Sequence, residues 1–156
     1  MKIEKAPDIQ AMIESIVETL NAEIYEPQKH GRPEQKIESA HINQHRIICM
    51  RSYDSTARAY ARIWAFPQMW QKALEISTFY VIEVLSQHFD DLAPEKKEQT
   101  LMHELLHIPK TFSGALLDHH HPSAPVNHSR TMKLWKEYRR KKEILQEQKA
   151  QMENFE

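Results

Sequence analysis

Histidines at 103 and 107 bracket Glu104, Leu105 and Leu106, and the residues around them write a helix with a defined end. Pro94 stands where a first helical turn tolerates it, Glu95 and Glu98 complement the positive helix end, and Leu101, Leu105 and Ile108 repeat as an apolar stripe. Positions i and i+4 of a helix are neighbours, so both imidazoles are predicted on one face. Pro109 ends the helix soon after the second histidine, and Gly114, one of only two glycines, offers a turn where the chain reverses. A chain with this segment is constrained to build a helix, a stop and a return.

That return matters because two imidazoles one turn apart can share a Zn²⁺ ion, and a third ligand leaves a fourth tetrahedral position open. His119, His120, His121 and His128 all lie downstream as candidates for the third place. Glu104 projects beside the pair and is not needed as a ligand, so it is the candidate general base for a metal-bound water.

At 156 residues and a formal net charge of -1, the chain suits one domain and argues against a general nucleic-acid coat. Domain boundaries are expected at 1–128, with 129–156 a helical extension of the same domain. The single Cys49 lies in an apolar run and reads as a buried small hydrophobe. No stretch has the length of a signal or a membrane span, so the expected location is cytoplasmic.

Periodicity predicts an α+β arrangement. Ile9, Ile13, Ile16, Val17 and Leu20 form a helical stripe after Pro7, ending near Tyr25-Glu26-Pro27, and 28–35 reads as a loop around Gly31 and Pro33. Strands are expected at 37–42, 46–51, 59–65 and, most strongly, 79–85, with a short helical turn at 67–74 carrying Trp70. Asp90 and Asp91 turn the chain into Pro94. After Asn127 comes one long helix with Met132, Trp135 and Tyr138 near one side, followed by Arg139, Arg140, Lys141 and Lys142. That cationic run reads as a solvated face, with a weak nucleic-acid contact as its functional alternative. Trp64 and Trp70 read as core, and Arg58 and Arg62 as salt-bridged scaffold. His41, His45 and His88 read as surface or satisfied polar residues, and Asp90, Asp91 and Asp118 as candidate partners of the ligand imidazoles.

The middle half of the chain resembles the phage metallopeptidases, small proteins related to zincin-like HExxH proteases. The resemblance rests on Ala-Arg-Ile-Trp within 59–65, on Trp70-Gln71-Lys72-Ala73-Leu74, on Tyr80 to Ser86, and on His103 to Gly114 reading HELLHIPKTFSG. It implies a zincin-like domain: a small mixed or antiparallel sheet, an N-terminal helix, an HExxH helix and a long C-terminal helix. It also implies His119 as the third ligand, since a histidine follows the Phe-Ser-Gly segment in that family. Two departures stand out: Gly114-Ala115 replaces a pair of glycines, and His119 opens a triple run. A looser likeness to SprT-like proteases implies His128 instead. Ser113 occupies the place of a metzincin's third histidine, and a gluzincin's glutamate would first occur at Glu137. The resemblance further suggests 80–85 as an edge strand that holds an extended substrate, and the residues themselves fit an interior strand of the core equally well.

The function expected is a zinc-dependent metallopeptidase, with His103, His107 and His119 as ligands, Glu104 as the catalytic base, and a protein or peptide as substrate. The alternative is a zinc-binding structural or nucleic-acid-associated protein without peptidase activity, its contact made through Arg139, Arg140, Lys141 and Lys142.

Overall fold

The structure, a computed structural model, describes residues 1–24 and 39–155. Four strands form one sheet in the order β1-β2-β4-β3, where β1 is Lys2–Lys5, β2 Ile47–Tyr53, β3 Ala61–Trp64 and β4 Tyr80–Leu85. The β2–β4 pair is parallel and the two outer pairs are antiparallel, so the sheet is mixed. Three principal helices complete the α+β domain: α1 (Pro7–Asn21), α4 (Pro94–Leu105) and α5 (His128–Glu153). Two short helices, α2 (Gln68–Leu74) and α3 (Ser86–Phe89), flank β4 in sequence.

The alternation of β2 and β4 sends Ile47, Cys49, Tyr80, Ile82 and Val84 into one core. There they meet the α1 stripe from Ile9 to Leu20 and Leu101, Met102 and Leu105 of α4. The α5 helix closes this layer with Leu134 and Tyr138, and Glu98 anchors it to α4 by accepting from Trp135 Nε1 at 3.1 Å. Cys49 is buried, and burial pushes its thiol up to about 12.

Several elements differ from the sequence expectation. The α1 helix stops at Asn21 rather than near Tyr25, because the Asn21 amide turns to Ser39, accepting from its hydroxyl at 2.7 Å. Ser39, Ala40 and His41 form a turn closed by Ile42 N–H on the Ser39 carbonyl, where a strand over 37–42 is predicted; 37 and 38, like the loop at 28–35, lie outside the described residues. The β1 strand has no counterpart in the expectation, since Lys-Ile-Glu-Lys carries one apolar residue and is held by main-chain pairing at the sheet edge. β4 is not an edge strand: β2 and β3 bond to it on either side, and its largely apolar sequence, broken only by the buried Glu83, reflects burial on both faces.

Trp64 and Trp70 are about half exposed rather than core. Trp64 lies on the sheet face opposite the helices, its indole N–H donated to Glu83 and its ring under the Arg62 guanidinium. Trp70 sits on α2, which buries none of its residues. Arg62 is scaffold as expected, donating from Nε to Glu83 at 2.7 Å. Lys141 is not part of a solvated face. It is buried, and its Nζ donates to the carbonyls of Leu20 and Ala22, satisfying the open end of α1. Its neighbours are engaged within the domain as well: Arg139 with Glu98 and the Trp135 ring, Arg140 with Glu137, Lys142 over Tyr138.

Candidate metal centre

His103 lies in the last turn of α4, and His107 follows two residues after the helix end at Leu105. The chain there tightens: His107 N–H bonds the Glu104 carbonyl and Ile108 N–H that of Leu105, both three residues back. The two rings stay on one face, with centroids 5.2 Å apart. The chain then turns through Phe112 and Gly114, both at positive φ, and returns antiparallel to itself, with Leu117 N–H donated to the His107 carbonyl at 2.7 Å.

This return brings His119 to the pair. Its ring centroid is 5.3 Å from that of His103 and 4.8 Å from that of His107. One nitrogen from each of the three imidazoles falls within 4.8 Å of the other two. Nε2 of His103 and Nε2 of His119 are 3.2 Å apart, close to the roughly 3.4 Å separation of two nitrogens on a tetrahedral zinc. His107 donates from Nδ1 to the Leu117 carbonyl, which leaves its Nε2 lone pair free to face the cluster. That partner is a main-chain carbonyl rather than any of the aspartates considered; Asp90 is engaged with Arg51 and Ser86, and Asp118 accepts from the His120 N–H.

The other downstream histidines do not join the cluster. His121 accepts on Nδ1 from the Ala124 N–H, His120 is exposed, and His128 opens α5 beside His103 and Glu104.

Residues whose roles were not readable in sequence turn out to hold the return loop. Gln71 donates from Nε2 to the carbonyls of Phe66 and Ser113, both at 2.8 Å. The Tyr80 hydroxyl accepts from Gly114 N–H at 2.9 Å and donates to the Ala115 carbonyl at 2.8 Å. Phe112 packs edge-on against the Tyr80 ring. Gly114 is required there, since at φ +93 a Cβ would stand 2.0 Å from the Phe66 carbonyl oxygen. The Ala115 that replaces a second glycine is exposed. Thus the WQKAL, YVIEVL and FSG segments together position the loop that delivers Leu117 and His119.

Burial, with the other two imidazoles and Lys96 adding to it, drives His103 down to about 4. His107 is likewise lowered, first by burial. Both rings are therefore neutral donors at pH 7, the form a metal needs. Glu104 is buried, and desolvation pushes its carboxyl up to about 8 against the pull of the Ile63 main-chain N–H. A nearby divalent cation would favour its ionised form. The donor set, the free lone pairs and the spacing all fit a tetrahedral metal with an open position.

A cluster of three imidazoles beside a buried carboxyl, carried by a helix and a returning loop under a mixed sheet, defines a small α+β domain with a candidate metal centre. A family model described as "Putative phage metallopeptidase" matches residues 1–137, and the chain belongs to that family. No match was found among curated proteins or among solved structures. No helix among the described residues is long and apolar enough to cross a membrane.

Proposed function

We propose that the domain is a zinc-dependent peptidase in which His103, His107 and His119 hold the ion and Glu104 manages the proton. The observation that carries this reading is the placement of Glu104, which adjoins the histidine cluster and lines both cavities of the cleft there. An ion held by three neutral ligands keeps its full charge, and in its open position would acidify a water and polarise a peptide carbonyl. Glu104 takes the proton from the attacking water and delivers it to the departing amine nitrogen. A structural zinc site would have no use for such a base.

The substrate strand is assigned to β3 rather than β4. The Leu85 N–H donates to the Tyr60 carbonyl, and antiparallel alternation then pairs the main chain of Arg62 and Trp64 with β4. The main-chain groups of Ala61 and Ile63 point away from the sheet, along the cleft that contains His103, Glu104 and His119. Ile63 N–H steadies Glu104, while the carbonyl of Ile63 and both groups of Ala61 remain for an extended peptide.

The test is cleavage of an unfolded protein and of a mixed peptide pool by zinc-loaded protein, by protein stripped with chelator, and by Glu104→Gln. Cleavage by the loaded protein is expected to vanish on stripping and to fall about 10²–10⁴-fold in Glu104→Gln. Cleavage that ignores both treatments contradicts the reading.

A further inference from the structure

The cleft is divided in character on the two sides of His103 and Glu104. Along β3 and the return loop, a cavity of about 510 Å³ is lined by Ile63, Leu116 and Leu117 among others. On the other side, a cavity of about 270 Å³ lies between Tyr60, the exposed side of α4 and the start of α5. Lys96, Gln99 and Thr100 line it from α4, and His128 lines it from α5.

The helical period explains this grouping. Positions 96, 99, 100 and 103 fall at i, i+3, i+4 and i+7, so the polar stripe of α4 runs up to the His103 ligand position. The Lys96 ammonium makes no ion pair or hydrogen bond among the described residues. Among the described residues, Glu104 is the one carboxyl group that lines this cavity. The Thr100 and Thr131 hydroxyls donate to the carbonyls of Lys96 and Asn127, so the cavity offers the Lys96 ammonium with the Gln99 amide, the Tyr60 hydroxyl and the His128 ring as further donors, a set that suits an anion. Seven residues of helix separate Lys96 from His103 by about 10 Å, the length of about three residues of extended peptide.

We propose that this cavity receives a carboxylate of the peptide substrate, within about three residues of the scissile bond and with Lys96 as its principal contact. The inference rests on the peptidase reading above and assigns a substrate class to it. The carboxylate can come from an Asp or Glu side chain or from the C-terminus of a short peptide.

The test uses two readouts. Zinc-loaded wild type and Lys96→Glu are given ten-residue peptides that differ only in carrying Glu, Gln or Lys at each position in turn, with free or amidated C-termini. Wild type is expected to prefer Glu over Gln about fivefold at one position near the cut, and Lys96→Glu to prefer Lys there. A Glu preference that survives amidation assigns the side chain, whereas cleavage and binding that fall on amidation whatever the side chain assign the terminus. Independently, calorimetric binding of the same Glu and Gln peptides to Glu104→Gln protein is expected to show the same preference, weakened by salt and absent from Glu104→Gln/Lys96→Ala. If wild type cleaves nothing while the binding preference holds, the peptidase reading fails and the anion pocket stands. Cleavage or binding indifferent both to Glu, Gln and Lys and to amidation of the C-terminus overturns the pocket.

Discussion

His107 donates its Nδ1 proton to the main-chain carbonyl of Leu117, so the loop that delivers His119 also fixes the tautomer of His107. Two candidate ligands and their orienting group are thereby built by one reversal of the chain. Whatever loosens the loop should loosen the site.

Tyr80→Phe tests this coupling. It removes the hydroxyl that bridges Gly114 and Ala115 and leaves the ring against Phe112. A loss of about 1–3 kcal/mol in urea unfolding is expected, together with a roughly tenfold weaker metal affinity in a chelator competition. Lost stability at unchanged metal affinity would separate the loop from the site.

Gly114→Ala should be far more damaging than its conservative appearance suggests. The added methyl meets the Phe66 carbonyl at 2.0 Å and the backbone is at φ +93. A loss above about 3 kcal/mol is expected in denaturant unfolding, against about 0.5 kcal/mol either way for Ala115→Gly at the exposed neighbour. Equal behaviour of the two variants would contradict the close approach.

These loop contacts mark the limit of what the sequence makes readable. Helix α4 with His103 in its last turn and the α1 stripe follow from helical periodicity, because each buries an apolar face, and β4 follows from a short, largely apolar run that is buried on both faces. Local pattern does not place β1, whose stability comes from pairing with β2, nor the depth of Lys141, which depends on where α1 ends. Spacing alone leaves the third histidine open among four positions, since the answer depends on a tertiary loop held by Gln71 and Tyr80. Trp64 reads as core because an aromatic in a strand usually packs inward; in the fold Glu83 offers the indole N–H a partner on the outer face.

Glu83 gives the sheet an acid-sensitive element. Burial pushes its carboxyl up, but bonds from Arg62 and Trp64 outweigh that and hold it below the ordinary carboxylate range. A depressed folded pKa contributes stability that is present above the unfolded value of about 4.3 and is lost as pH falls through the folded one. Glu83→Gln is expected to cost about 1–3 kcal/mol at pH 7 and to flatten the acid limb of thermal unfolding. An unchanged acid limb would refute the assignment.

Metal-free protein should respond to pH in the opposite sense through Glu104. Its carboxyl titrates near 8 when folded and in the ordinary carboxylate range when unfolded, so the folded state binds more protons between these values. Stability is therefore lost as pH rises through this range. His103, at about 4 when folded, and His107, likewise lowered, contribute a rise that fades through their ordinary value of about 6.5 and is essentially complete by roughly pH 7.5. From about pH 7.5 to 9 in chelator, wild type is expected to lose about 0.5–1 kcal/mol, and Glu104→Gln to stay level. A parallel decline in the variant would contradict the buried acid.

Cys49 should be inert while the domain is folded. With its thiol pushed up to about 12 it carries almost no thiolate at about pH 8, and iodoacetamide labelling is expected only on unfolding. Rapid native-state labelling would contradict its burial.

The most direct measurement is metal content by plasma mass spectrometry on untagged protein, for wild type and for His103→Ala, His119→Ala, His128→Ala and Glu104→Gln. About one zinc per chain is expected in wild type, His128→Ala and Glu104→Gln, with loss in His103→Ala and His119→Ala. Retention of stoichiometric zinc without His119, or no metal in wild type, would contradict a centre built from His103, His107 and His119.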